Sequence, residues 1–390
     1  MKLVSNLGHA GWCFTVLAFL LSPLAVAANG HEQPVTSTLQ KAQEFSKTII
    51  KEFPINATGT VNLKNQYGKV NVKTWEKSRT KIDITIVVKA KSESAAQEVF
   101  DRIHIDFAND DNFVKAETVI ESSKSSFFDW GWGGNSHSEF QINYEVFMPA
   151  GGSLELSNKY GDANVEAING KARVEMKYGN FRLEGVGGGL GITLGYGNGT
   201  VIKARDVNAD IAYGNINFND VQDVNMVTKY SKISMDKAAG VKAESRYDHF
   251  NLGDIRRFNC QSRYGNVEIG DAESVVAVGK YTDFKIDRLG DNGDFDLQYG
   301  GLEVSKLAKG FSTVNLTGKY SDFKIYVAEG ASFMLDAASD YAGIAYPAGL
   351  SVTYEKEKGT SHEVKGHAGT SGARSVIKAN LSYGGLKVRQ

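Results

Sequence analysis

Two sets of side chains in this 390-residue chain have types and spacings that could do chemistry. The first is a cluster of aromatics in the glycine-rich stretch 122–138: Phe127, Phe128, Trp130 and Trp132, followed by His137. Large amphipathic rings in an aperiodic segment can grip a glycan or anchor a partner protein. The same rings could equally fold down as a plug over the end of a core. The second set is a column of cations, each just before a recurring tyrosine: Lys159, Lys177, Lys229, Arg246, Arg263, Lys280 and Lys319. On strands stacked ~4.8 Å apart, such a column could hold an anionic polysaccharide or lipid head groups. Glu175, Asp210, Glu244 and Asp296 stand two residues upstream of the same column. The pattern therefore favours a solvated stripe neutralised by its own carboxylates.

Catalysis has one foothold. Glu268 and Glu303 occupy the same place in two repeats, and a two-rung separation of ~9.6 Å overlaps the range for inverting glycoside hydrolysis. Lys285 falls between them and Lys324 follows. That alternation keeps both carboxylates ionised, the opposite of what a general acid requires. His362-Glu363 with His367 lacks the spacing of a zinc helix. The acidic turn Asp291-Asn-Gly-Asp294-Phe-Asp296 lacks the aligned ligands of calcium-binding repeats, and Gly187-Gly-Gly-Leu-Gly has no phosphate-loop lysine after it. No catalytic residue, metal or cofactor is assigned, and the chain is read as a non-enzyme.

The elements that must position these groups are marked by the tyrosines. Tyr160, Tyr178, Tyr196, Tyr213, Tyr230, Tyr247, Tyr264, Tyr281 and Tyr299 recur every 17 or 18 residues. Tyr320 and Tyr341 follow at 21 each, and Tyr383 lies 42 further on, which reads as two steps with a degenerate rung near His362. Three residues after the tyrosine stand Phe181, Ile216, Phe250 and Phe323; five after it stand Leu183, Phe218, Leu252 and Ile325; the position between is polar. This is the period of a strand with one dry face. A second alternating strand precedes the tyrosine, with Val174, Ile192, Ala209 and Cys260 four residues upstream. The Tyr-Gly-Asn and Tyr-Ser-Asp corners between the strands are expected to place positive φ on Gly and Asn. By parity with the upstream residues, the tyrosines are expected at an inner or corner position, ring edges stacked and hydroxyls reaching solvent. The fold class is all-β: a single-stranded parallel β-helix or β-solenoid over residues 151–390, with about 17–21 residues per coil and about 11–13 coils.

Residues 1–28 carry one charge, Lys2, then an apolar stretch from Trp12 to Val26 closing on Ala25-Val26-Ala27-Ala28. They read as a secretory signal peptide. Its removal leaves Cys260 as the single cysteine, an inert buried thiol by its place in an inward column. With Lys2 removed from the 44 basic residues, 43 face 45 acidic ones, and this near balance gives no reason to expect nucleic acid. No later apolar run approaches the ~20 residues of a membrane span. Residues 29–54 read as an N-terminal segment with an amphipathic helix over residues 38–52, and residues 55–150 as a β-rich cap. Within the cap, Tyr67 begins a first rung and Ile82, Ile84, Ile86 and Val88 alternate as a long strand. A helix is expected over residues 92–103, with strands over 113–120 and 140–147. Such a cap would close the stack and block edge pairing.

Several of these segments together carry a resemblance. Tyr67-Gly-Lys-Val-Asn-Val-Lys-Thr-Trp75, Lys81-Ile-Asp-Ile-Thr-Ile-Val-Val, Ala95-Ala96 leading to Ile103-His-Ile-Asp-Phe, Tyr144-Glu-Val-Phe-Met-Pro149 and the Tyr-Gly-Asn repeats resemble the bacterial putative-adhesin family of unknown function. The resemblance spans nearly all of the chain after the signal peptide. It implies an exported single-stranded β-helix similar to adhesin head domains, and it brings no reaction and no catalytic residues. The function expected is a non-enzymatic binding module, periplasmic or at the cell surface, whose partner is a glycan or an envelope or surface protein. The alternatives are a periplasmic scaffold or sensor in an envelope-stress pathway and, from the enzymes, a polysaccharide lyase or hydrolase.

Overall fold

The computed structural model describes residues 42–121 and 139–390. The expected signal peptide and the aromatic stretch with Phe127, Phe128, Trp130, Trp132 and His137 lie outside the described residues. Within them the chain is almost entirely β, with one α-helix, Glu93–Phe100. That helix starts where Ser92 Oγ accepts a hydrogen bond from the Ala95 amide at 3.2 Å, and it buries Ala96 and Phe100.

From Ser153 to Gln298, parallel pairing links each stretch to the copy one repeat later. Before the tyrosine, Val207 pairs with Val224, Val224 with Val241 and Val241 with Phe258; after it, Ile216 pairs with Ile233 and Ile233 with Phe250. Because the register offset equals the sequence repeat, every side chain sits over its own counterpart in the next rung. The apolar columns three and five residues after the tyrosine and four before it accordingly form the core, as with Phe250, Leu252 and Cys260. A third inward column stands eight residues after the tyrosine and includes Ile168, Val186, Val221, Ile255 and Leu289. Its first members make single bridges, Ile168 to Val186 and Val186 to Ala204, and the later ones pair within continuous strands, as Val221 does with Ala238 and Ala238 with Ile255.

Three expectations are corrected. Residues 43–52 are not helical: Gln43–Pro54 is a strand paired antiparallel to Arg79–Ala90, from Gln43 opposite Ala90 to Pro54 opposite Arg79. Phe45, Ile49 and Phe53, which pack on the core, are spaced by four, a spacing that puts them on one face of a helix or of a strand. The free edge of the Ile82 to Val88 strand decides between the two by offering twelve backbone partners.

Nor does Tyr383 follow Tyr341 in the stack. The last strand, Val376–Arg389, lies between rungs, paired in parallel with Thr313–Lys319 and Asp322–Val327 on one side and Phe333–Ala345 on the other. The long interval holds a hairpin of Ser351–Lys358 and Ser361–Ala368, the second antiparallel to Phe333–Ala345. No degenerate rung exists near His362; that segment instead covers an edge that would otherwise offer unpaired backbone.

The third correction concerns the corners. Among the described residues all thirteen with positive φ other than glycine are tyrosines, with φ of 51–62°, and the glycine that follows many of them has no such φ. That glycine is needed for space: a Cβ on Gly161, Gly179 or Gly197 would overlap the carbonyl oxygen of Gly68, Gly161 or Gly179 one rung earlier. Where a larger residue stands there, as Ser231, Asp248, Thr282 and Ser321 do, its side chain is buried and hydrogen-bonded within the corner.

Replacing Gly179 by Ala is expected to destabilise the chain by about 1–3 kcal/mol, the usual range for forced overpacking. Gly189→Ala, where a Cβ meets nothing within 4 Å, serves as the neutral comparison. Equal urea midpoints for the two variants would refute the close approach.

A tyrosine ladder beside a row of cations

The left-handed turn at each tyrosine rotates its ring out of the core, although the residues two before and three after it point inward. The twelve ladder tyrosines from Tyr160 to Tyr383 are 41–56% exposed, so of the inner and corner positions expected from parity they take the corner. Parity holds only while the backbone stays extended, and one left-handed residue resets it.

The rings stack face to face. Tyr67, Tyr160 and the tyrosines through Tyr320 form consecutive pairs, and Tyr383 then sits between Tyr320 and Tyr341; centroids are 4.7–5.1 Å apart and planes within 17°. Phe140 meets Tyr67 edge-on at 5.5 Å at the start of the ladder. A left-handed conformation costs a side-chain-bearing residue roughly 1–2 kcal/mol. Stacking contributes about 0.5–1.5 kcal/mol per pair, and since each pair is shared by two rings this is about one pair per strained residue, so the ladder offsets a large part of the strain it sits on. Solvent sees ring edges and hydroxyls, because the faces are occupied by neighbouring rings. A sugar or a base therefore has no free interior face to stack on.

All seven cations of the column are exposed. Lys159 and Lys177 are adjacent, then Gly195 and Ala212 interrupt. Lys229, Arg246 and Arg263 are aligned in register, with Lys280 at the same place in the next repeat, and Lys319 lies beyond Gln298. The expected neutralisation is not found: among the described residues no carboxylate forms an ion pair with any of the seven. Arg173 takes Glu175, at 3.0 Å, from two residues upstream on the same strand. Lys177 and Lys280 instead bring their Nζ atoms to 5.2 and 5.8 Å from the ring centroids of Tyr178 and Tyr281. The stretch from Lys229 to Lys280 lines a groove of about 620 Å³ together with residues one alternation upstream, among them Val227, Glu244 and Val278.

Glu268 and Glu303 lie on the other side of the tyrosines. Lys285 is aligned with Glu303, and Glu303 with Lys324, whose Nζ is 3.6 Å from its carboxylate. The Asp291 carboxylate accepts hydrogen bonds from the Ser312 amide and hydroxyl, bracing a turn. His362 Nε2 is 2.9 Å from Glu355 in the terminal hairpin. Among the described residues no group of His, Cys, Asp or Glu is placed to hold a metal ion, and no helix is long and apolar enough to cross a membrane.

One polar centre escaped the sequence reading. Asp248, buried, accepts hydrogen bonds from the hydroxyls of Thr228 and Ser245 at 2.6 and 2.8 Å and from the amides of Ser231 and Arg246 at 2.7 and 2.9 Å. Its signal was an Asp directly after Tyr247 together with Thr228, Ser245 and Ser262 two before their tyrosines, where Met176, Leu194, Ile211 and Leu297 stand in other repeats. Burial, with Asp248 nearby, pushes the Cys260 thiol up to about 12.

No protein-family model and no curated protein matches the chain. Solved structures do match. A putative cell adhesion protein from Clostridium sporogenes is 11% identical, covers 89% of this chain and 100% of its own, and has a TM-score of 0.20. A putative adhesin from Parabacteroides merdae is 10% identical over 66% of this chain and 95% of its own, at 0.30. A putative lipid binding protein from Parabacteroides distasonis is 12% identical over 66% and 94%, at 0.29. Similarity at this level says nothing about what this chain binds.

Two outcomes follow from the ladder and its buried centre. Tyr247→Ala is expected to lose about 1–3 kcal/mol, two stacking contacts, while Tyr247→Phe stays within about 0.5 kcal/mol; equal thermal midpoints for both would show that stacking does not support the turn. The native Cys260 thiol stays protonated above pH 9.0, its ordinary value, up to about 12. An unfolded chain would ionise over that window, so the stability held by the protonated thiol is complete below it and is lost as pH rises through it. Cys260 should therefore resist a thiol reagent at pH 8 and react fully in denaturant, and rapid native labelling would contradict its burial.

Proposed function

We propose that this chain is an exported, non-enzymatic β-solenoid that serves as an adhesin-like binding module of the bacterial envelope or cell surface. The coiled reading, a single-stranded parallel β-helix, is supported by the constant register of 17 or 18 residues between paired strands and by the unbroken tyrosine stack. Export is supported by the character of residues 1–28.

The observation that carries the binding role is the cation row. Like charges directly opposite one another on neighbouring strands destabilise a sheet. Lys229, Arg246 and Arg263 stand in that relation, with no carboxylate paired to them. The row opposes the fold that presents it, which favours an anionic partner outside the chain. Beside it, edge-on phenols supply hydroxyl groups once per rung. The reading as a non-enzyme is supported by Glu303, the second carboxylate of the candidate pair, which is engaged with Lys324 Nζ at 3.6 Å.

The test is binding of the chain without residues 1–28 to bacterial and host glycans and to isolated surface fractions, with reducing ends counted before and after. Saturable binding with no new reducing ends is expected. Release of sugar fragments would establish an enzyme, and a folded chain that binds nothing would refute the module.

A further inference from the structure

We infer that the groove along Lys229, Arg246, Arg263 and Lys280 binds a linear carboxylated polysaccharide, a polyuronate, laid parallel to the tyrosine ladder with about one sugar per rung. This rests on the binding-module reading and specifies its ligand.

The rungs here repeat at 4.8–4.9 Å, measured between the rings of Tyr230, Tyr247, Tyr264 and Tyr281. One pyranose of an extended 1,4-linked chain advances by nearly the same amount; its residues alternate in facing, so every second carboxylate can meet a cation two rungs on, while ring and hydroxyl oxygens meet the cation between. Two of the four are arginines, whose planar guanidinium can take a carboxylate through two parallel hydrogen bonds. No other run of the column places cations on so many successive rungs: Gly195 and Ala212 interrupt it on one side and Gln298 on the other.

The opposite wall suits the rest of a sugar. Val227 and Val278, 54% and 50% exposed, offer apolar surface to pyranose C–H groups, and Gln261 between them can exchange hydrogen bonds with hydroxyls. Glu244 and Asp296 also line the groove. Two carboxylates against four cations leave it net positive and bias the ligand's acid groups toward the tyrosine side.

Two other polyanions fit less well. Single-stranded nucleic acid is held by bases stacking on open aromatic faces, and here those faces are covered by neighbouring rings. Polyphosphate has no hydroxyls or apolar faces for Val227, Gln261 and Val278 to meet.

The experiment is calorimetric titration of the chain without residues 1–28 with galacturonate oligomers of one, two, four and six sugars. Neutral oligosaccharides of equal length, oligo-dT and polyphosphate are run alongside. Affinity is expected to climb steeply up to four sugars and then level. For the hexamer it should fall by at least about 10-fold between about 50 and 200 mM salt, as neutralised charges release counterions.

The variant K229Q/R246Q/R263Q/K280Q should lose at least about 10-fold in affinity while its melting temperature holds or rises, since like-charge repulsion is removed. The milder R246Q/R263Q should lose part of the binding. K285Q/K324Q, on the other side of the tyrosines, should bind as the parent does. Affinity independent of length, undiminished binding by the quadruple variant, or equal affinity for oligo-dT or polyphosphate would overturn the inference. Surface glycans bound equally by parent and quadruple variant would overturn this groove and leave the module standing. No binding to any surface would overturn both.

Discussion

Between the two strands of each rung the backbone passes through the left-handed region at a tyrosine, yet the hydrogen bonding between rungs continues through the turn. The Tyr178 amide donates to the Gly195 carbonyl and the Tyr230 amide to the Arg246 carbonyl, each at 3.0 Å. A buried or half-buried amide left without a partner would be costly. The turn therefore keeps the same place in every rung, and the ring has one direction to go. Stacking, exposure and the cation column alongside all follow from that repeated kink. Glycine after the tyrosine is the steric counterpart, allowing consecutive turns to approach within one strand spacing.

A stack of this kind must end somewhere, and both ends depart from the repeat. At the start, Thr60–Gln66 pairs in parallel with Ser153–Lys159 on one side and Phe113–Ile120 on the other. Antiparallel strands led by Gln43–Pro54 and Arg79–Ala90 complete the cap. A buried chain of hydrogen bonds ties cap to rung: the Thr118 hydroxyl donates to Asn65 Oδ1 at 2.9 Å and lies 2.8 Å from the Tyr144 hydroxyl, while Asn65 Nδ2 donates to the Ile142 carbonyl at 2.9 Å. At the far end the last strand inserts between two earlier rungs, and a hairpin covers the outer one. The last strand is thereby paired on both sides, and Phe333–Ala345 is covered on its outer side by Ser361–Ala368.

How much of this was legible in the sequence depended on whether a local pattern had one physical meaning. Alternation around the tyrosines did, since apolar residues three and five after Tyr247 can face a core together only in a strand, and Phe250 and Leu252 are both buried. Phe45, Ile49 and Phe53 did not, because a spacing of four suits helix and strand alike. The rung order of Tyr320, Tyr383 and Tyr341 was hidden because spacing along a chain does not report an inserted strand. The ring direction was hidden by a single φ angle. The cation column was readable as a column, but its lack of carboxylate partners was not, because sharing a strand face with Glu175 did not reveal that Arg173 would take it.

The central claim is that the tyrosine edges and their cation row form one solvent-facing surface through which the chain makes its contact. Hydroxyl-radical footprinting, free and bound to the surface fraction that retains the chain, addresses it directly. The account predicts oxidation at tyrosines along the whole ladder in the free chain and protection concentrated from Tyr230 to Tyr281 in the bound one. Tyrosines inert in the free chain, or protection confined to residues away from the ladder, would contradict it.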